Sequence, residues 1–218
     1  MEAGRPETPA AEAVGSLEVR WIFPGQLDAA MAGWFGRFET RTESREDSYL
    51  LDPQFPGLSV KVRGGRALEV KWYRGSPGML EVTGRARGRL ESWQKWSFPC
   101  RPLRQGSRDP AGWRPVRKRR RISRFPVGGG PTVAPAAGGG QPVCEVELTE
   151  VRVFGLDWWT LGFEATGPGG LLRGELEATA ALVFAQALPG GTEPGLNESR
   201  SYAEWLSQRL SAKSDASA

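Results

Sequence analysis

The chain contains no histidine among its 218 residues. That absence removes Ser-His-Asp and Cys-His nucleophile systems and every imidazole metal site. Cysteine is nearly missing as well: Cys100 and Cys144 are too few for a structural zinc cluster and form no secreted disulfide scaffold. Any metal would have to be held by carboxylate oxygens, which favours a hard ion such as Mg²⁺ or Mn²⁺. No apolar run approaches membrane-spanning length. The opening M-E-A-G-R-P-E-T-P-A-A-E-A-V-G lacks the basic-then-apolar order of a signal peptide. The chain reads as soluble and cytoplasmic, with no membrane partner. Its net charge is only +4, so charge matters here where it is locally sorted.

What is present is β-alternation. S-L-E-V-R-W-I-F sets Leu17, Val19 and Trp21 against Glu18 and Arg20; L-S-V-K-V-R and L-E-V-K-W read as a hairpin. C-E-V-E-L-T-E-V alternates again, and a turn at F-G-L-D leads into W-W-T-L-G-F-E-A-T. Helical spacing is expected from Gln26 to Thr40, from Glu175 to Pro189, and in R-S-Y-A-E-W-L-S-Q-R-L, with Ser199 or Ser201 as cap. Residues 78–98 hold at least one more strand and a short helix. Residues 1–15 and 211–218 read as disordered tails, and the uncharged Gly/Pro/Ala stretch 126–142 as a flexible loop inside a single domain, 16–210. Mostly antiparallel strands with a few helices make an α+β chain or a barrel.

The polar faces of these strands are almost wholly ionised: Glu18 and Arg20, Lys61 and Arg63, Glu69 and Lys71, Glu145 and Glu147. The run V-R-K-R-R-R-I-S-R-F adds six cations in ten residues. For any one strand, a wet outer face explains this best. Recurrence on five strands favours a small closed barrel that turns the rows inward, where like charges require a ligand. A polyphosphate satisfies basic walls directly and acidic ones through a divalent ion.

The order of these motifs resembles the CYTH, or triphosphate-tunnel, group. S-L-E-V-R, D-S-Y-L-L-D, V-K-V-R, L-E-V-K, R-K-R-R-R, E-V-E-L-T-E-V, L-G-F-E-A and the closing S-Y-A-E-W-L follow that group's sequence of elements over residues 16–210. The resemblance implies an antiparallel eight-stranded barrel with flanking helices. It implies a triphosphate or inorganic polyphosphate ligand, Mg²⁺ or Mn²⁺, and phosphohydrolase chemistry. It assigns Arg20, Lys61, Arg63, Lys71, Arg119 and Arg121 to phosphate. Glu18, Glu145 and Glu147 fall to catalysis, and the same three with Glu164 to metal. Ser16, Arg20, Ala165 and Thr166 depart from the group's acidic and lysine positions, so a binding tunnel without turnover is the companion reading. A different class is also open: a nucleic-acid binder using the basic strand 116–125, with Trp93, Trp96 and Trp113 as stacking platforms. Trp21 and Trp72 fall on apolar strand faces and read as core.

Overall fold

The computed structural model describes residues 13–52, 54–55, 57–100, 112–126 and 143–215. Among the described residues, ten strands and three α-helices follow one another. They are β1 (Val14–Pro24), α1 (Ala29–Phe35), β2 (Arg41–Leu50), β3 (Leu58–Arg63), β4 (Ala67–Gly75), β5 (Met79–Val82), β6 (Ala86–Arg89), β7 (Glu91–Pro99), β8 (Trp113–Pro126), β9 (Val143–Val153), β10 (Leu156–Thr166), α2 (Leu172–Val183) and α3 (Tyr202–Asp215). Eight of the strands close a barrel in the order β1-β10-β9-β8-β2-β3-β4-β7, every pairing antiparallel, while β5 and β6 form a separate hairpin. This is the architecture that the triphosphate-tunnel resemblance implies.

Several local expectations shift. Residues 78–98 form three strands and no helix. The first helix is one short segment, capped by the Asp28 carboxylate accepting from the Met31 N–H. Strand β1 begins at Val14 and α3 runs to Asp215, inside the stretches read as tails; residues 127–142 lie outside the described residues. Ser201 caps α3, accepting from the Glu204 N–H at 3.2 Å. Phe154 and Gly155, at φ 54° and 81°, make the two-residue turn joining β9 to β10. Neither cysteine is in a disulfide.

The barrel wall is unequally clad. Outside β1, β9 and β10, the side chains Leu17, Val19, Trp21, Val146, Leu148, Leu161 and Phe163 are buried beneath α1, α2 and the β5–β6 hairpin. Each large apolar side chain buried contributes about 1.5–3 kcal/mol, and this half holds the larger of the two apolar clusters. The hairpin presses close to β1: a Cβ on Gly88 would lie 2.6 Å from Val19 and 2.7 Å from Trp21, so only glycine fits. Outside β2, β3, β4 and β7, in contrast, Leu50, Leu58, Trp72 and Phe98 are exposed. Trp72, expected in the core, faces outward. A second apolar cluster of Ile22, Tyr49, Val116, Val151, Trp158, Trp205 and Leu206 lets α3 close one end of the barrel. Ile22 N–H donates to Glu198 O, and Arg200 N–H to Arg20 O, both at 3.0 Å, tying the segment that leads into α3 to β1.

Candidate functional site

Because the outer rows of β1, β9 and β10 are apolar and covered, the pleat sends their ionised rows into the lumen. The cavity they line is about 80 Å³. Six cations from five strands line it: Arg20, Arg45, Lys61, Lys71, Lys118 and Arg120. Four acids face them, Glu18, Glu91, Glu147 and Glu164, together with Tyr49, Tyr202 at the start of α3 and Ser201, its cap.

The charges are sorted into pairs rather than into a basic and an acidic wall. Arg20 Nη1 lies 2.5 Å from Glu147 Oε1 and donates to Thr160 Oγ1 at 3.0 Å. Arg120 donates to Glu147 Oε2 and Glu43 Oε1, both at 2.8 Å. Lys71 Nζ bridges Glu18 at 2.5 Å and Glu164 at 3.2 Å. Lys61 and Arg63 each hold Glu69 at 3.1 Å. Arg45 Nε lies 3.0 Å from Asp47, which is fully buried. A Cβ on Gly162 would fall 2.8 Å from the Arg20 guanidinium, so the glycine in L-G-F-E-A gives that side chain its path across the lumen.

These pairings move the protonation equilibria. Burial alone would raise the carboxyls, but Lys61 and Arg63 overcome it at Glu69, bringing it to about 2. Lys71 and Lys95 likewise outweigh burial at Glu164, also about 2. Burial is outweighed at Glu147 by Arg120 and Arg20, which hold it well below the carboxylate range. Lys118 goes the other way. Burial and the neighbouring Lys61 push its ammonium well below the usual lysine value, against the pull of Asp47 3.7 Å away. Its Nζ donates to Tyr49 OH at 2.7 Å and sits 3.8 Å above the Tyr202 ring, a cation–π contact.

The structure brings Glu18, Arg20, Lys61, Lys71, Glu147 and Glu164 to one cavity. Arg63 and Glu145 stand on the same inner face nearer its edges, Glu145 held by Arg124 at 2.5 Å. Arg119 and Arg121 do not reach the lumen. They lie on the outer face of β8, and both pair with Glu150, at 3.7 and 2.9 Å. The inward cations of that strand are Lys118 and Arg120, one residue over. Asp47, Glu69, Glu43, Arg45, Glu91, Tyr49 and Tyr202 complete the interior, none of them picked out as a site residue from the sequence. Trp93 is buried and packs on Tyr73, so it is no stacking platform; Trp96 and Trp113 are half-buried on the outer wall.

The four carboxylates assigned to metal do not fit a resident ion. Among the described residues no three acidic side chains converge on one point. Glu18, Glu164 and Glu145 are cross-strand neighbours on β1, β10 and β9. However, the Lys71 ammonium lies between the first two and Arg124 holds the third. Where the resemblance expects another acid, the Ser16 hydroxyl donates to Glu18 at 2.7 Å. A hard divalent cation needs several oxygens near ~2.1–2.6 Å, and here those oxygens are committed to nitrogen donors.

No protein-family profile and no curated protein sequence matches the chain. Among solved structures it is similar to the PH1819 protein from Pyrococcus horikoshii OT3, at 15% identity over 89% of this chain and 99% of that one, with a TM-score of 0.44. It is also similar to the S. pombe Pct1 RNA triphosphatase, at 9% identity over 81% of each chain, with a TM-score of 0.38. Both likenesses are distant, and the chemistry of the lumen has to be taken from its own residues.

Proposed function

We propose that the barrel lumen binds the phosphate chain of a triphosphate or inorganic polyphosphate, and that the chain is a divergent member of the triphosphate-tunnel group. The observation that carries this reading is the six-cation lining drawn from five strands, its side chains largely buried. Buried arginines and lysines are costly unless paired. Phosphate oxygens are the natural replacement for the carboxylates that pair them here, because they accept the same charge-assisted hydrogen bonds with more charge per group. Ligand pockets for organic molecules run to ~300–1,000 Å³, so a phosphate chain enters this lumen by swinging Arg20, Lys71 and Arg120 off their acids. Hydrolysis of the terminal phosphoryl group is the activity such a site supports. Lysines and arginines would neutralise the leaving phosphate, and Mg²⁺ or Mn²⁺ would arrive as the phosphate's own counter-ion, not on Glu18, Glu145, Glu147 and Glu164.

Thermal unfolding with tripolyphosphate, ATP and thiamine triphosphate, each with and without Mn²⁺, tests this. Tripolyphosphate should raise the midpoint, and Arg120→Met or Lys71→Met should abolish the rise. No shift with any of the three compounds in either metal condition would sink the reading. A nucleic-acid reading keeps one specific support, the outward Arg117, Arg119 and Arg152 beside a groove of about 700 Å³. Binding there would need no divalent metal and would weaken steeply with salt.

A further inference from the structure

One lumen acid stands apart from the others. Glu147 is held by Arg20 and Arg120, and Glu18 and Glu164 share Lys71. Glu91, at the start of β7, is buried, and its partners are of another kind. Its Oε2 accepts from the Trp93 indole N–H at 3.1 Å and its Oε1 from Arg89 at 3.3 Å. Arg89 lies outside the lumen lining and divides its charge with Glu204 of α3. The charged and titratable groups facing Glu91 from other elements are Glu18 on β1, the neutral phenol Tyr73 on β4, Arg89 on β6 and Glu204 on α3, two of them carboxylates. Burial raises the carboxyl, Trp93 and Arg89 oppose it, and Glu18 and Glu204 add to the rise. The other lining acids with a resolved shift, Glu147 and Glu164, move the opposite way.

We propose that Glu91 is the proton-linked group of the lumen: it takes up a proton from solvent when a polyphosphate enters and, as a neutral carboxylic acid, donates its O–H to a phosphate oxygen. This rests on the lumen being the phosphate site. The physical reason is the charge count. A phosphate chain adds several negative charges to a lining of six cations and four acids. Repulsion is relieved most cheaply at the acid that, among the described residues, pairs with no lumen cation, because protonating Glu18, Glu147 or Glu164 first breaks an ion pair inside the lumen. No covalent bond to phosphorus forms or breaks in this step; one proton moves from solvent to a Glu91 carboxylate oxygen.

Titration calorimetry of tripolyphosphate, from about pH 5 to about pH 9, in two buffers of different ionisation enthalpy tests the proposal on wild type and Glu91→Gln. Tripolyphosphate's own protonation is common to both proteins and cancels in the comparison. Wild type should take up about one proton more than the variant, and its affinity should fall with rising pH by up to ~10-fold per unit relative to Glu91→Gln. Superimposed profiles would overturn the Glu91 role while leaving the lumen site standing; absence of binding by either protein at every pH would remove both. The carboxyl ¹³C resonance of Glu91 in wild type gives a second measurement that does not rely on the variant. It should move to the protonated position on adding tripolyphosphate at neutral pH, and a carboxylate that stays ionised would refute the step.

Discussion

The two faces of β8 carry nearly the same side chains and do different things. Arg117 and Arg119 point outward, with side chains 75% and 57% exposed, and pair with Glu46 and Glu150 over open water. Lys118 and Arg120 point inward, with side chains 3% and 11% exposed, and meet Asp47, Glu147 and Glu43 in a closed lumen. Surface pairs of the first kind contribute roughly 0–1 kcal/mol. Breaking a pair of the second kind by removing one partner costs about 3–5 kcal/mol, because the other charge stays buried. Composition says nothing about which is which; the face decides it.

The sharpest way to test that contrast is to remove one acid from each side. Glu147→Ala should lose about 3–5 kcal/mol in urea unfolding, since Arg20 and Arg120 are left facing each other. Tripolyphosphate should return part of that loss by supplying the missing anion. Glu150→Ala, the outer counterpart, should change stability by less than ~1 kcal/mol. Equal losses at the two positions would break the comparison.

Acid titration follows in size. Glu69 and Glu164 sit near 2 in the folded chain, below the unfolded carboxylate value of ~4.3. Depressed acids stabilise the fold above the unfolded value and lose that contribution as pH falls through the folded one. The contribution of these two acids should be steady above pH ~5 and drop between ~4 and ~2, on the order of 3 kcal/mol for one shift of that size. Urea midpoints that stay flat across this window would show that the interior pairs are not intact in solution.

Gly162→Ala is subtler. The added methyl meets the mobile end of Arg20 rather than backbone, so stability should change by about 1 kcal/mol or less while tripolyphosphate affinity falls about tenfold. A variant with unaltered affinity would mean that Arg20 is not a ligand contact. Smallest of all, Arg119→Ala should leave both stability, within ~0.5 kcal/mol, and the tripolyphosphate response unchanged. Loss of that response would return the phosphate site to the outer wall.

Where the strand rows could be read from the sequence, one face was apolar. In β1 and β9, Leu17, Val19, Trp21, Val146 and Leu148 leave no doubt which side is buried, and Glu18, Arg20, Glu145 and Glu147 follow to the opposite side. Strand β2, R-T-E-S-R-E-D-S-Y-L, was legible only at its end, because its inner face is itself charged through Glu43, Arg45 and Asp47. Strand β8 has the opposite parity to the one its resemblance implies. Five consecutive basic residues have no alternation, Val116 and Ile122 favour one face and Phe125 the other, and a slip of one residue exchanges Arg119 and Arg121 for Lys118 and Arg120. Trp72 misled in the opposite sense, since its neighbours alternate as a core strand's do while the wall outside them carries exposed side chains.

Local alternation by itself determined that this chain makes antiparallel strands with one ionised row each, because a pleated strand separates its side chains with period two whatever surrounds it. Only closure of the barrel decided where those rows point and what each charge meets. Partners such as Lys71 and Glu164, 93 residues apart, are brought together by strand order, and the cost of burying a charge makes that distant pairing, rather than the residue type, the source of its chemistry.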